Sequence, residues 1–278
     1  MSFVTRFAPS PTGPLHLGHA FSALLAHDRA RAAGGTFLLR IDDLDRARCR
    51  REWEAQIFDD LAWLGLAWPT PVLRQSARLP RYRAALETLW TRGLLYPCTC
   101  SRADIRAAAS APQEGAPLHG PDGVVYPGTC RPAMPPTGPM PAEAVLRLDM
   151  ARACKVADKP LSYMEKDSRI ELRDLPRTVG DVVLARRDIG ASYHLSVVLD
   201  DADQGVTHVI RGQDLAPATQ IHALLQRLLG LPAPTYEHHR LIRDAQGKRL
   251  AKRDDARAIA TYRADGATPR DIRRMVGL

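Results

Sequence analysis

The first 41 residues constrain the fold of this chain more than any other stretch. FVTRFA has strand character, PSPTGP is a loop of small and rigid residues, and LHLGHAFSALLAHDRARAA carries helical spacing until Gly34 and Gly35 stop it. TFLLRI follows as a second strand. Strand, helix, strand in that order is a βαβ unit. Its crossover packs in the right-handed sense only, so the two strands are parallel. The expected class is α/β with a Rossmann-like parallel-sheet core, and ligands in such a core bind beyond the strand ends, in the loop that begins at Pro9.

Helices are predicted at roughly 50–65 and 78–92. Between 107 and 141 the texture changes. These 35 residues hold nine of the 22 prolines and five glycines, which predicts an irregular insertion. VLRLDM, DVVLARRD, YHLSVVLDD and VTHVIRG then read as strands, and a helix is predicted from about 214 to 229. The expected organisation is a first half of the core at 1–97, an inserted subdomain at 98–180, and a second half of the core at 181–278.

A chain of 278 residues can bury a core without disulfides, and 45% hydrophobic with 25% charged residues are globular proportions. No apolar run spans a bilayer and the N-terminus has no secretory build, so no membrane partner and a cytoplasmic location are expected. The net charge of +8 favours a polyanionic partner without identifying one.

His16 and His19 stand three apart where the first helix begins, with Gly18 removing a side chain between them. A helix N-terminus offers unpaired N–H groups and partial positive charge, and imidazoles add donors, which together suit a phosphate. Two histidines on an ordinary surface helix would read the same way in isolation. GKRLAKRD at 247–254 adds a short basic loop, with Lys252 within it, able to neutralise charge on a pyrophosphate leaving group. Cys98, Cys100 and Cys130 offer three thiolates beside the irregular insertion, where a tetrahedral zinc ion would supply stability that the apolar content does not. Chemistry alone makes His119 the first candidate for a fourth ligand. Buried free thiols remain the plain alternative.

RFAPSPTGPLHLGH at 6–19, LRIDDLD at 39–45, VIRGQDL at 209–215 and RLAK at 249–252 together resemble the catalytic core of glutamyl-tRNA synthetases, in order and over nearly the whole chain. Within that group, the short length and the cysteine arrangement resemble the glutamyl-queuosine tRNA(Asp) synthetases. The resemblance implies that His16, Gly18, His19 and Lys252 bind ATP, with His16, His19 and Lys252 catalytic. It implies a glutamate site of Arg6, Phe7, Ala8, Pro9, Ser10, Asp42, Tyr193 and Arg211. Asp42 would face the ammonium where relatives often have glutamate, and Arg6 and Arg211 would meet carboxylate. It also implies Tyr126 as the fourth zinc ligand. Ala251 departs from the usual serine of the second signature.

The expectation is a monomeric ligase that activates L-glutamate with ATP, accompanied by Mg2+ and without needing tRNA, and passes it to queuosine in tRNA(Asp). Only 26 residues follow Lys252, too few for an anticodon-binding domain, which is why queuosine is expected as the acceptor. Two rivals stay open: a minimal enzyme charging a tRNA 3′ end, and a non-catalytic RNA-binding paralogue.

Overall fold

β1 (Val4–Phe7) leads through the proline-rich loop into α1 (Leu17–Ala32) and back to β2 (Thr36–Ile41), which lies parallel to β1 with Val4 opposite Thr36 and Phe7 opposite Leu39. The computed structural model that shows this describes residues 2–109, 119–158, 160–243 and 257–278. α1 buries Ala20, Phe21, Leu24 and Ala30, the helical spacing its sequence shows. The turn into β2 needs a glycine. A Cβ on Gly35 would lie 2.1 Å from the Phe3 carbonyl oxygen, which instead accepts from the Thr36 N–H at 2.8 Å. α2 (Arg51–Trp63) then leads to β3 (Leu73–Arg74), parallel to β2 with Arg40 opposite Leu73.

The chain divides into two compact units. The first comprises Met1–Ala77, Gly205–Ala216 and Pro234–Leu278, the second Arg78–Gln204 and Pro217–Ala233. In the second unit α3 (Leu79–Thr91), β4 (Leu95–Cys98) and α4 (Arg102–Ala109) precede the small hairpin of β5 (His119–Gly120) and β6 (Gly123–Val124). β7 (Val145–Leu148), α5 (Met150–Ala157) and a hairpin of β8 (Ser162–Glu165) with β9 (Ser168–Glu171) follow. α6 (Leu175–Thr178), β10 (Val183–Ala185) and α7 (Tyr193–Asp203) come next, and β7 sits antiparallel between β4 and β10. β11 (His208–Gly212) belongs to the first unit, α8 (Thr219–Leu229) to the second, and β12 (Thr235–His239), α9 (Ile259–Ala264) and α10 (Pro269–Val276) to the first again. β11 runs parallel to β12, and the Thr207 N–H donates to Val4 O at 2.9 Å, setting the start of β11 beside β1. The core of this unit gathers Leu15, Leu24, Ile41, Ile57, Leu61 and Ile259, all nearly inaccessible to solvent.

YHLSVVLDD, expected as a strand, is the helix α7. Val197 and Val198 give it β character in sequence, but Ser192 caps it by accepting from Leu195 N, which starts a helix there. Its Asp200 is fully buried, satisfied by Arg78 Nε and the Tyr82 hydroxyl, each at 2.8 Å. Among the described residues no helix is long and apolar enough to cross a membrane.

Asp60 is the opposite case. It is 0% exposed on α2 and, among the described residues, neither carboxylate oxygen has a hydrogen-bond partner. Burial, with some help from Asp59 and against Arg263, raises its pKa from 3.8 to about 6. A carboxyl raised in the folded state favours folding fully below its unfolded value, and that contribution is lost as pH climbs from about 4 through 6. Two pH units correspond to about 3 kcal/mol. Asp60→Asn is therefore expected to be more stable than the parent at pH 8, by about 2 kcal/mol, and nearly equal to it at pH 4.5. Urea melts at the two pH values check this.

Candidate active site and metal centre

The loop after β1 and the start of α1 are built by the two histidines themselves. His16 is the N-cap of α1, its Nδ1 accepting from Gly18 N at 3.1 Å, while His19 Nδ1 accepts from His16 N at 3.1 Å. This is a capping box made of imidazoles where Ser and Glu usually stand. With each Nδ1 an acceptor, each neutral ring carries its proton on Nε2. The rings lie 3.8 Å apart, and a Cβ on Gly18 would come within 2.9 Å of His16 Cε1, so the glycine is what lets the first ring sit there. Two N–H donors at the positive end of a sixteen-residue helix make an anion site. Lys252 lies outside the described residues. The chain is described again from Arg257, and Ala258 bridges to His16 while Ile259 N donates to Leu15 O at 2.8 Å, so the segment after the basic loop is tied to the histidine motif.

The proposed glutamate residues of the first unit are also drawn together. Asp42 N donates to Pro9 O and Arg50 N to Pro11 O, each at 3.0 Å, which staples the loop holding Ala8, Pro9 and Ser10 to the end of β2. Arg6 and Phe7 are buried on β1, and Arg211 is buried on β11. Arg211 Nε donates to His238 Nε2 and its Nη2 to Leu215 O, both at 3.2 Å, with the guanidinium over the Tyr236 ring. That fixes the plane of a fork suited to carboxylate. Tyr193 belongs to the second unit, at the first residue of α7, where its ring packs edge-on to His194.

Sequence reasoning passed over Arg40. It is completely buried, and its Nε donates to Asp42 Oδ1 at 2.8 Å. An arginine in the otherwise apolar TFLLRI, two positions before Asp42 and so on the same strand face, was the available signal. The pairing holds the Asp42 carboxylate in one orientation beside the loop.

In the second unit the thiols of Cys98, Cys100 and Cys130 lie within 4.8 Å of one another, with Cys100 and Cys130 3.4 Å apart. The Tyr126 hydroxyl is 3.5 Å from Cys98 Sγ and 3.3 Å from Cys100 Sγ. Metal–sulfur bonds of ~2.3 Å place tetrahedral ligands roughly 3.8 Å apart, so this donor set could hold a metal ion. His119, on β5, is exposed and outside the group. Hydrogen bonding from Tyr126, then from the Thr99 backbone, lowers the Cys130 thiol to about 6, which favours the thiolate form that a metal would bind. The Arg147 guanidinium lies 3.7 Å from the centre of the Tyr126 ring and clamps it. A second residue that sequence reasoning missed, Asp181, anchors this lobe. It is almost wholly buried, bonded to Tyr96, to Arg131 Nε at 2.7 Å and to Met150 N at 2.9 Å.

The catalytic-domain pattern of class I tRNA synthetases (E and Q) matches residues 2–278. The chain belongs to that family. It is accordingly an ATP-dependent ligase. The glutamyl-Q tRNA(Asp) synthetase of Rhodobacter capsulatus is 66% identical over 278 residues, covering 99% of this chain and 100% of that protein. The protein of the same name from Symbiobacterium thermophilum is 43% identical, covering 96% and 83%. Among solved structures, a glutamate tRNA ligase from Elizabethkingia meningosepticum, in complex with its amino acid, superposes with a TM-score of 0.78 at 28% identity. The alignment covers all of this chain, which spans 61% of that longer one. The α/β class with a parallel sheet, expected from the first 41 residues, is the observed one.

Proposed function

We propose that the chain activates L-glutamate with ATP, without needing tRNA, and transfers it to queuosine in tRNA(Asp). The observation that carries this is identity of 66%, along its entire length, with a relative bearing that name. The geometry supports the first step. Arg6 and Arg211 supply buried cationic charge for carboxylate, and Asp42, oriented by Arg40, supplies an acid for the ammonium. An α-carboxylate oxygen attacks the α-phosphorus of ATP, the bond to the β-phosphate oxygen breaks, and pyrophosphate leaves. His16 and His19, through Nε2–H, and Lys252 stabilise charge on the transferring phosphate, with Mg2+ accompanying the nucleotide. A hydroxyl of the queuosine cyclopentenediol then attacks the acyl carbon, and AMP departs.

Cys98, Cys100, Cys130 and Tyr126 would hold zinc in a structural role, closing a tetrahedral site beside the proline- and glycine-rich stretch at 107–141. Chelation of the purified chain is expected to lower its melting temperature. Tyr126→Phe, which keeps the ring under Arg147, is expected to weaken zinc by about 10- to 100-fold against a chromophoric chelator, a loss of the size seen when one supporting ligand goes. Equal zinc affinity in parent and Tyr126→Phe would remove the phenol oxygen from the ligand set.

Transfer of labelled glutamate to tRNA(Asp) with and without queuosine, with tRNA(Glu) as third substrate, tests the acceptor. Label on the queuosine-bearing tRNA alone is expected. Label on tRNA(Glu) would make the chain a 3′-end charging enzyme. No label and no glutamate-dependent pyrophosphate exchange would leave a binding protein.

A further inference from the structure

A cleft of about 690 Å³ opens in the first unit at the C-terminal ends of β2 and β3, between the segment after Asp42 and the N-terminus of α2. It contains none of His16, His19 or Arg211, so it is separate from the phosphate site at α1. Its volume is that of a site for a nucleotide-sized group. Four arginines line it, Arg46, Arg50, Arg51 and Arg74, against two acids, Asp43 and Glu54.

Both acids are already committed. Asp43 accepts from Ser76 N at 2.8 Å and Ser76 Oγ at 2.6 Å, and Glu54 accepts from Arg74 Nε at 2.7 Å. Arg46, Arg50 and Arg51 form no ion pair among the described residues, and four arginines against two acids leave the cleft with an excess of two positive charges. Two of the three stand where their charge works against the helix. Arg50 is the N-cap of α2, with no side-chain capping bond, and Arg51 is the first helical residue. Cations at a helix N-terminus oppose the macrodipole, and clustered guanidinium groups repel one another. Glu52 and Glu54 in the first turn of α2 offset part of this, and an anion entering the cleft would offset more. Arg50 is also held in place, its Nη1 donating to Ala47 O and Cys49 O at 2.9 Å each, so part of the ordering cost of binding is already met.

The cleft adjoins the amino-acid site along the chain. Pro11 and Asp43, which line it, are the neighbours of Ser10 and Asp42. We propose that this cleft seats the phosphodiester backbone of the RNA acceptor, with Arg46, Arg50 and Arg51 as the phosphate contacts that bring the reacting nucleotide to the glutamyl group. The inference rests on the reading that the acceptor is a tRNA. Arginine is the side chain for this, since its fork meets two phosphate oxygens at once and stays charged at every working pH.

The test is tRNA(Asp) binding by fluorescence anisotropy across a salt series, alongside glutamate-dependent pyrophosphate exchange without tRNA. The triple variant R46Q/R50Q/R51Q is expected to bind tRNA about 30- to 100-fold more weakly at ~0.1 M salt, with the slope of log K against log salt reduced by about 2 to 3. Its exchange rate is expected to stay within about twofold of the parent, because none of the three belongs to the residues proposed to bind ATP or glutamate. R31Q/R270Q/R274Q removes the same charge from α1 and α10 and serves as the control, expected to leave most of the binding in place. Equal losses in the two triples, an unchanged slope, or a parent that binds tRNA with no salt dependence would each overturn the proposal while leaving the activation chemistry standing. A parent without exchange that nonetheless binds tRNA through the three arginines would instead overturn the ligase reading and keep the cleft.

Discussion

His16→Asn is expected to slow glutamate-dependent pyrophosphate exchange by about 10²- to 10³-fold, the size of effect that follows loss of one donor aimed at transition-state charge, while its melting temperature stays within ~3 °C of the parent. The two halves of that expectation come from two nitrogens of one ring. Nδ1 is structural: it accepts from Gly18 N at 3.1 Å and caps α1. Asparagine is among the best N-cap residues, and its Oδ1 can take the same bond, so the helix start is kept. Nε2–H is the part asparagine cannot replace, because its side chain ends where the imidazole's capping edge does. The loss should fall on kcat, with KM for ATP little changed, since the donor meets charge that grows only as the α-phosphorus is attacked. Gly18→Ala makes the companion measurement. An added Cβ 2.9 Å from His16 Cε1 would push the ring aside without touching its chemistry, so a comparable rate loss is expected from displacement alone. A His16→Asn chain with full exchange activity would reduce the histidine to a cap.

That double duty explains why the site was only partly legible in sequence. The strand, loop and helix around HLGH follow from periodicity and from the glycine stop, and they place the histidines at a helix N-terminus without a structure. The capping box does not follow, because His-x-x-His is not a residue pair whose side chains are known for mutual capping. Arg40 was hidden for a similar reason. An arginine amid TFLLRI reads as an edge or a solvated face, and only the parallel neighbours on both sides, β1 and β3, show it to be wholly buried against Asp42. Asp181 lies 31, 50 and 85 residues from Met150, Arg131 and Tyr96, and long-range hydrogen bonding of that kind leaves no local pattern. α7 failed in the other direction, its two valines suggesting a strand where Ser192 and the buried Asp200 require a helix.

The larger effect on substrate choice is expected at Arg211. Arg211→Gln should raise KM for glutamate by about 10²- to 10³-fold, the range for removing one member of a desolvated charge pair, with ATP binding nearly unaffected. The guanidinium is held on two sides, by His238 Nε2 and Leu215 O at 3.2 Å each, and lies over Tyr236, so its plane is set before any ligand arrives. Glutamine at this position can bond a carboxylate but contributes no charge, and the carboxylate would be left buried without its counterion. Glutamine as a substrate carries no such charge, so the preference for glutamate over glutamine should narrow far more than KM for either ATP or pyrophosphate changes. Arg211→Lys separates charge from geometry. Lysine keeps the cation but cannot meet His238, Leu215 and a carboxylate in one plane, so KM should recover only in part. If Arg211→Gln discriminates glutamate from glutamine as the parent does, the buried fork serves the strand end alone, and the side-chain carboxylate must be read by Arg6.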